Sequence, residues 1–245
     1  MKHIKLALFF ITFSSLLLMI CLSCRKEEGL PTHETGTVTD RDGNIYKTVK
    51  IGDQWWMAEN LKVKTYQNGD SISFCAADGA DTSWSSLKTG AYSVLNTTFG
   101  YLYNFYAVAD SRRIAPAGWH IPSDEEWKVL ESYLGMSSSD LDVMNWRGTD
   151  QGNQLKIAGG NTTYWINSSD QYSIFGTNSS GFTAIGGACR VFNGSWGDLA
   201  HTAFWWTSTP QGETACYRGL DYNKADVFRY YGSKNYGFSL RCLKD

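Results

Sequence analysis

The cysteine at position 24 stands in a setting that favours covalent modification of its thiol. Residues 1–5 are positively charged, residues 6–22 form an almost unbroken apolar run, and a serine directly precedes Cys24. A positive start, an apolar stretch and a small residue before the cut are typical of a secretory signal peptide. A cysteine directly after the small residue is what lipid attachment to a bacterial lipoprotein requires. We therefore predict a signal peptide over residues 1–23 and lipidation at Cys24.

The alternatives for this segment are a plain signal peptide and a single membrane anchor. The apolar run is about as short as a membrane-spanning helix can be, and the charged residues 25–28 follow it at once. Cys21 is a poorer lipidation candidate because the bulky Ile20 precedes it. We interpret residues 24–35 as a lipidated tether to the membrane. Residues 25–28 also resemble the signal that sends Bacteroidetes-type lipoproteins to the surface of the outer membrane, in preference to a periplasm-facing anchor.

The carboxylates at residues 124–126 have the residue types of a metal site or an acid/base pair. They follow Ser123, and Glu126 stands three residues after that serine, which is the capping-box pattern of a helix N-terminus. The helix dipole also favours negative charge in this first turn. Capping therefore explains the carboxylates without a site, and we predict a helix over residues 123–135 that ends at Gly135.

The histidines and the sequence motifs offer little support for an enzyme. His120 precedes the capped helix and is expected to be a hydrogen-bonded framework residue, and His201 has only Asp198 near it at metal-ligand spacing. The sequence contains no Gly-x-Ser-x-Gly elbow and no glycine-rich phosphate loop, and the four cysteines after Cys24 form no Cys-x-x-Cys pair. We therefore predict a non-enzymatic protein without a metal or cofactor.

Charge and composition indicate a folded domain with no nucleic-acid partner. Without residues 1–23, the 22 basic residues lose Lys2 and Lys5, and the 24 acidic residues then give a net charge of −4. This balance does not favour nucleic acid. Aromatic residues make up 15% of the chain, with ten Trp, 24 Gly and only four Pro. Such a composition favours short strands and tight turns around an aromatic core, and argues against disorder.

The first part of the domain is predicted to form a β-hairpin and a third strand. In residues 37–52, alternating residues flank an Asp-Gly turn, which is a strong hairpin signal, and residues 55–57 form the next strand. Asp40, Asp42 and Asn44 have the spacing of an EF-hand calcium loop, but isoleucines replace the glycine and the bidentate glutamate that such a loop needs. We interpret these residues as a turn.

Helices are predicted in the middle of the domain and strands in its last part. A second helix is predicted over residues 139–156, residues 100–108 fit a buried helix slightly better than a strand, and residues 67–98 are interpreted as polar loop. Strands are then predicted at residues 182–185, 204–209, 214–220, 227–230 and 236–243. Strands, then helices, then strands indicate an α+β fold with an antiparallel sheet. Because no linker follows the tether, residues 36–245 are expected to be one domain.

Motifs spread along the chain resemble those of one known family. They are Asp-Gly-Asn at 42–44, Trp-Met-Ala-Glu-Asn-Leu at 56–61, Gly-Tyr-Leu-Tyr-Asn at 100–104, the run from Ala-Pro-Ala-Gly-Trp-His to Glu-Trp at 115–127, Ser-Gly-Phe-Thr-Ala at 180–184, Trp-Trp-Thr-Ser-Thr at 205–209 and Gly-Phe-Ser-Leu-Arg-Cys at 237–242. In this order they resemble the Fibrobacter succinogenes major paralogous domain, which is common in secreted and lipid-anchored proteins. That family is similar to C-type lectin-like domains. The resemblance therefore implies short twisted antiparallel sheets with two helices and long polar loops.

The chain departs from the family in its cysteines. Ala115 stands where many members have a cysteine that could pair with the terminal one, so Cys242 needs another partner or stays free. A Cys189–Cys216 bridge is one alternative, and Cys216 and Cys242 could also be neighbours on adjacent strands. The pairing among these three and Cys75 stays open in the sequence. The sugar motifs of calcium-dependent lectins are absent from the sequence, so the resemblance carries no calcium site.

The loops between the late strands form the ligand face in C-type lectin-like domains, and the resemblance implies the same here. These loops mix aromatic rings with short polar groups, which suit glycan and protein ligands alike. Arg218 and Arg229 alternate with aromatic residues on candidate strands, so they are expected to contact the ligand or, equally, to form framework ion pairs. The loop residues predicted to bind are Trp196, Asp198, Asp221, Tyr222 and Asn223, with core packing as the alternative for the two aromatic ones.

We therefore expect a lipid-anchored outer-membrane protein, exposed at the cell surface, that binds a polysaccharide or a surface protein without catalysis. One alternative is a structural or accessory subunit of an outer-membrane or adhesin assembly, which a flat apolar patch of several hundred Å² would favour. The other is an enzyme on the framework of the formylglycine-generating enzymes, which two close thiols in a cleft would favour. Exposed aromatic residues at one end of the sheet would favour the binding module.

Overall fold

The computed structural model describes residues 33–76, 83–159, 164–165, 176–197 and 200–245. All of these residues belong to one compact unit, Pro31–Asp245. The predicted signal peptide, the lipidation site Cys24 and most of the tether lie outside the described residues, as does Asp198. In the part of the chain that the structure describes, no helix is both long and apolar enough to cross a membrane.

Short strands dominate the described residues, and three short α-helices interrupt them. The strands are β1 (Thr35–Thr39), β2 (Ile45–Ile51), β3 (Gln54–Met57), β4 (Ser73–Phe74), β5 (Ala91–Ser93), β6 (Leu102–Tyr103), β7 (Trp119–His120), β8 (Asn145–Arg147), β9 (Cys189–Arg190), β10 (Trp196–Gly197), β11 (Thr202–Gln211), β12 (Thr214–Asp221), β13 (Val227–Ser233) and β14 (Leu243–Lys244). The helices are α1 (Phe105–Val108), α2 (Asp124–Tyr133) and α3 (Gln151–Leu155). The fold class is α+β, mainly sheet with few helices.

A five-stranded antiparallel sheet joins the start and the end of the domain. Its strand order is β1–β2–β3–β14–β7, so a late strand sits between two early ones. Leu243 of β14 pairs with Trp56 of β3 on one side and with His120 of β7 on the other. The hairpin turn before β2 is the predicted one, because Asp40 Oδ1 accepts hydrogen bonds from the backbone N–H groups of Asp42 and Asn44, both over 2.9 Å.

A second, four-stranded antiparallel sheet has the order β11–β12–β13–β8, and helix α2 packs on one of its faces. The capping box that begins α2 is confirmed. The Glu126 N–H donates to Ser123 Oγ over 3.2 Å, and the Ser123 N–H donates to Glu126 Oε2 over 2.7 Å. Trp127, Leu130 and Leu134 then face the sheet, as the helical spacing predicts.

The predicted helix over residues 139–156 is wrong. Its middle is strand β8, which pairs with β13, and only α3 at its end is helical. Asn145 and Gly148 adopt left-handed φ angles of 69° and 85°, which a continuous helix does not allow. Pairing with a distant strand therefore overrides the local helical spacing.

Three other predictions on secondary structure hold in part. Residues 100–108 form strand β6 followed by helix α1, because Asn104 caps the helix by accepting a hydrogen bond from the Ala107 N–H over 3.1 Å. In the predicted strand 182–185 only one isolated bridge forms, between Lys156 and Ala184. Of the predicted strand 236–243, only the end belongs to a named strand, β14.

Two aromatic-rich clusters make up most of the core. One centres on Tyr103, Trp206 and Phe238, and the other lies between α2 and the four-stranded sheet around Trp127 and Trp205. Burying one side chain of the size of Phe stabilises a fold by about 1.5–3 kcal/mol. The aromatic composition therefore provides the core that the sequence predicts.

Candidate functional site

The two faces of the four-stranded sheet differ chemically because side chains alternate along each strand. One row across the sheet aligns Trp205, Arg218 and Arg229, and its arginines face helix α2. The next row faces the opposite way and is made of Phe204, Gly219, Phe228 and Trp146. The paired charges therefore lie on the face that α2 covers, and the opposite face carries aromatic rings without charged side chains in this row.

The covered face holds a buried ion-pair cluster, here called the Asp124 network. Its members are Asp124 and Glu131 of α2 with Arg147, Arg218 and Arg229 of the sheet. Arg218 donates to Asp124 Oδ1 and to Glu131 Oε1, both over 2.7 Å. Arg229 donates to the two oxygens of Asp124 over 2.9 and 2.6 Å. The arginines thus meet carboxylates in bidentate geometry, which is the strong form of the ion pair.

The electrostatics of the network follow from this pairing. Burial by itself raises the pKa of Asp124, but hydrogen bonds and charge from Arg229 and Arg218 outweigh burial and hold that pKa well below its usual range. Burial likewise opposes the charge of Arg218, and Glu131 outweighs it and raises the pKa of Arg218. Burial lowers the pKa of Arg147 to about 10, although Glu131 opposes this change.

The structure corrects the prediction that Arg218 and Arg229 contact a ligand. Arg218 is 1% exposed and Arg229 is 6% exposed, and both are held by the carboxylates of α2. They are framework ion-pair residues, which was the alternative in the sequence. The two arginines do alternate with aromatic residues along their strands, but the arginines face α2 and the alternating rings face the opposite side of the sheet.

The bridge between Cys189 and Cys216, one of the alternatives that the sequence left open, is not formed. The Cys216 thiol instead donates to Asp124 Oδ1 over 3.2 Å, and burial raises its pKa to about 11. Cys242 is also a thiol, and its complete burial raises its pKa above the usual range. Buried thiols with raised pKa values are poor nucleophiles, so Cys216 and Cys242 are core residues.

The sheet face opposite α2 carries a chain of ring contacts, here called the aromatic strip, and part of it packs against the core cluster around Phe238. The centroids of Phe228 and Tyr217 lie 5.9 Å apart, and those of Phe192 and Tyr236 lie 5.5 Å apart. The buried Phe238 joins these pairs, with its centroid 4.8 Å from Tyr217 and 5.2 Å from Tyr236. The partly or largely exposed members of the strip are Trp146, Phe192, Phe204, Tyr217, Phe228, Tyr230 and Tyr236.

Two glycines provide the space in which these rings lie. A side-chain carbon added at Gly219 would lie 2.9 Å from the Phe204 ring and 3.2 Å from Phe228. A side-chain carbon added at Gly232 would lie 3.1 Å from the Tyr217 ring. These separations are shorter than normal van der Waals contact, so any larger residue would displace a ring.

The aromatic strip runs between the two late loops that the sequence predicts as the ligand face. At one end, Lys224 of the loop after β12 places its Nζ 5.6 Å from the centre of the Trp146 ring. At the other end, Phe192 directly precedes the loop at residues 193–198. Exposure is high at Phe192, with 49%, and at Tyr230, with 44%. The strip is therefore a surface that a ligand can reach.

The predicted loop residues fall in two places. Asp221, Tyr222 and Asn223 share one turn, in which Asp221 Oδ1 accepts a hydrogen bond from the Asn223 N–H over 2.9 Å. Asn223 is exposed, whereas Tyr222 is half-buried with its ring centroid 5.4 Å from that of His201. Trp196 lies in β10, half-buried, with its ring 5.2 Å from the Arg190 guanidinium. Trp196 therefore sits on a different hairpin from the other three.

His120 has the framework surroundings that the sequence predicts. Its Nε2 lies 2.9 Å from Glu126 Oε1, and its Nδ1 lies 2.7 Å from Asp245 Oδ1. These contacts tie strand β7 to the start of α2. Across the described residues, no three His, Cys, Asp or Glu side chains are grouped so that they could hold a metal ion.

Sequence reasoning missed Trp146, Phe192, Phe228 and Tyr230 as surface residues. Phe228 and Tyr230 did carry a signal, because they alternate with Val227 and Arg229 at the period of a strand. The wrong helix prediction over residues 139–156 included Trp146, so its position on a sheet surface was not predicted.

Comparison with protein families gives one result. The model of the Fibrobacter succinogenes major domain matches residues 49–244. No curated protein and no solved structure matches the chain. The matched segment covers most of the chain, including the strands from β3 to β14 and helix α2, and it contains nearly all of the motifs on which the resemblance depends. The chain belongs to the Fibrobacter succinogenes major domain family.

Proposed function

We propose that this protein is a lipid-anchored module at the cell surface that binds glycans, without catalysis, through the aromatic strip. The observation that carries the proposal is the strip itself, a connected series of ring contacts on the sheet face opposite α2, in which Phe192 and Tyr230 are largely exposed. The apolar C–H faces of pyranose rings stack on aromatic side chains, and the sugar hydroxyls bond to short polar groups. Exposed Asn223 in the loop after β12 provides such a group at the end of the strip near Lys224 and Trp146.

The shape of the strip favours a glycan over a flat protein partner. Its rings meet at different angles, for example 80° between Phe192 and Tyr236 but 34° between Phe228 and Tyr230. Such a surface has separate ring faces of about the size of one sugar, as an extended chain of sugars requires. A protein partner remains the second outcome of the test, because aromatic residues are also enriched at the centres of protein interfaces.

A C-type lectin-like fold is part of the proposal. Three features support it: the pairing of late strand β14 with early strand β3, the capped helix α2 between them, and the late loops next to one sheet. An experimental structure in which β14 does not pair with β3 would contradict this assignment.

The lipid anchor is tested by mass spectrometry of the N-terminal peptide from the full chain expressed in a bacterium that processes lipoproteins. The expected result is a diacylated cysteine at position 24, lost in Cys24→Ala and retained in the matched variant Cys21→Ala. Protease treatment of intact cells then tests surface exposure. An unmodified Cys24, or a chain protected from protease, would contradict the anchor or its orientation.

The glycan site is tested with a glycan array probed with the full chain in detergent micelles. We expect saturable binding that falls about tenfold or more in Tyr230→Ala and Phe192→Ala, because exposed aromatic residues dominate such contacts. The matched control is Tyr133→Ala, which removes an even more exposed ring from helix α2, outside the strip.

Glycan binding that survives both strip variants would exclude the strip as the site. Absence of binding to every glycan, together with crosslinking from position 230 to one surface protein, would replace the glycan proposal with a protein-binding role. The accessory-subunit alternative would then gain support.

A further inference from the structure

A cavity of about 380 Å³ opens beside strand β2, away from the aromatic strip, and no member of the strip lines it. We call it the Arg241 pocket. Its volume lies in the range of small-molecule sites. The wall residues that matter here are Lys47, Glu59, Lys62, Tyr164, Thr183 and Arg241. The pocket therefore combines three cationic side chains with a single carboxylate.

Arg241 in this wall is buried, with 1% exposure, yet only neutral groups bond to it among the described residues. Its Nε donates to Asn60 Oδ1 over 2.9 Å, and its Nη2 donates to the Thr183 carbonyl over 3.0 Å. Its Nη1 donates to the carbonyl of Phe182 and, over 3.5 Å, to that of Met57. A buried cation without a carboxylate partner is unfavourable, because burial removes its hydration and nothing of opposite charge replaces it.

The pocket as a whole has an excess of positive charge. Burial lowers the pKa of Arg241 to about 9, and the charge of Glu59 only partly opposes that change. Glu59 Oε2 accepts a hydrogen bond from the Lys47 backbone N–H over 2.6 Å. Lys47 and Lys62 also line the pocket and add two further positively charged residues to its wall. An anion in the cavity would compensate this excess.

The backbone at the pocket is also held in an unusual conformation. Thr183 has a φ angle of +57°, which a β-branched residue rarely adopts. Asn178 Oδ1 holds it there by accepting a hydrogen bond from the Thr183 N–H over 2.8 Å, while the Thr183 carbonyl accepts from Arg241. Backbone in sparsely populated regions is concentrated at ligand sites, where the surrounding structure fixes it.

We propose that the Arg241 pocket binds a small molecule with one carboxylate, which lies between the Arg241 guanidinium and the Lys62 ammonium. A guanidinium has five N–H donors, and four acceptors already engage Arg241. One remaining donor suits a carboxylate better than a phosphate, which needs several. The Tyr164 ring in the wall offers an apolar surface for the rest of the ligand. A carboxylated sugar and a free organic acid share this chemistry.

The test measures binding of galacturonate and of galactose to the full chain by calorimetry, in low salt and at pH 7. These probes have similar size and differ in one carboxylate. We expect galacturonate to bind and galactose to bind at least tenfold more weakly. Lys62→Gln should weaken galacturonate binding about fivefold, because it removes one nearby charge. The matched control Lys88→Gln makes the same charge change outside the pocket and should leave binding unchanged.

Arg241→Gln tests the guanidinium directly, and Lys62→Gln keeps the test informative if Arg241→Gln does not fold. Phe192→Ala should retain full galacturonate binding, because the aromatic strip is a separate surface. This result also distinguishes the pocket from the proposed glycan face, so either site can fail without the other.

Equal binding of galacturonate and galactose would overturn the proposal, as would the absence of galacturonate binding at millimolar concentration. Tighter binding of inorganic phosphate than of any carboxylate would also overturn it. Cyclohexanecarboxylate identifies the source of the ligand. If it binds as well as galacturonate, the site takes organic acids in general, and if it binds more weakly, the sugar hydroxyls contribute and the ligand is an acidic sugar.

Discussion

Arg218 and Arg241 stack on the same buried aromatic cluster but have opposite electrostatic surroundings. The Arg218 guanidinium lies 5.9 Å from the centre of the Trp127 ring, and that of Arg241 lies 4.2 Å from the centre of the Phe182 ring. The two ring centroids are 5.7 Å apart. Arg218 nevertheless meets two carboxylates, whereas Arg241 meets an amide and backbone carbonyls.

The difference comes from the elements that surround each arginine. Asp124 and Glu131 are seven residues apart on α2, so two helical turns place both carboxylates on the face that covers Arg218. Arg241 is surrounded by irregular backbone around Phe182 and Thr183, which offers carbonyl groups instead. Helix α2 therefore supplies the carboxylates that neutralise Arg218 within the chain. The irregular backbone around Arg241 supplies no carboxylate, so a bound anion can neutralise that guanidinium.

The largest expected effect is that of Asp124→Asn. This change leaves Arg218 and Arg229 buried with one carboxylate fewer, and breaking such a buried pair costs about 3–5 kcal/mol of unfolding free energy. Urea denaturation monitored by tryptophan fluorescence measures it. The matched control Glu125→Gln changes a neighbouring exposed carboxylate of the same helix and should cost less than about 0.5 kcal/mol. If both variants lose a similar unfolding free energy, then pairing with the carboxylates of α2 does not explain the difference between Arg218 and Arg241.

The second-largest effect is expected from acid, which should weaken the Asp124 network. The folded state holds the pKa of Asp124 below its unfolded value of about 3.9, so the unfolded chain takes up this proton first as the pH falls. The stabilisation is complete above about pH 4 and decreases progressively below it, by on the order of 2–3 kcal/mol at pH 2. Denaturation curves between pH 6 and pH 2 measure the change. In Asp124→Asn this part of the pH dependence should disappear, and an unchanged slope would assign it to other carboxylates.

Arg241→Met should cost less than Asp124→Asn. The variant leaves carbonyl groups and the Asn60 amide without a donor, but it also removes a charge that no carboxylate balances. We expect a loss of about 2 kcal/mol in unfolding free energy, measured in the same denaturation experiment. A loss as large as that of Asp124→Asn would mean that Arg241 is electrostatically as well compensated as Arg218, and the comparison would fail.

The smallest effect tests how the helix places its carboxylates. Ser123→Ala removes one half of the capping box and should cost about 1 kcal/mol. The exposed Ser132 of the same helix is the control, and Ser132→Ala should cost nothing measurable because Ala favours a helix interior. If Ser123→Ala has no effect, packing against the sheet alone fixes the first turn of α2.

Much of the fold could be predicted because its signals are local. The two capping residues of α2 are only three positions apart, and the residues that form the turn at Asp40 are also close in sequence. The strands at 204–209, 214–220 and 227–230 are rich in residues that favour β-structure. The helix prediction at 139–156 failed because pairing with β13 is decided by residues far along the chain. Family membership was also predicted and confirmed, since its motifs are spread over the whole domain.

The site was less predictable because the sequence does not say which face of a sheet is covered. The alternation of Arg229 with Phe228 and Tyr230 separates two faces, but only the position of α2 decides which one is buried. The aromatic strip collects rings from β8, β11, β12, β13 and the segments around Phe192 and Tyr236, so no single stretch of sequence contains it. Likewise, the lack of a carboxylate at Arg241 depends on the path of the backbone near Thr183.

The position of Leu243 in the middle of the five-stranded sheet has a consequence for how the chain reaches its folded state. The sheet closes only when Leu243 meets both Trp56 and His120, and contacts between residues so distant in sequence slow folding because a long loop must close first. During synthesis, this sheet cannot form completely while the residues near Leu243 are still inside the exit tunnel of the ribosome. The strands that carry Trp56 and His120 therefore stay unjoined in this sheet until Leu243 has left the ribosome.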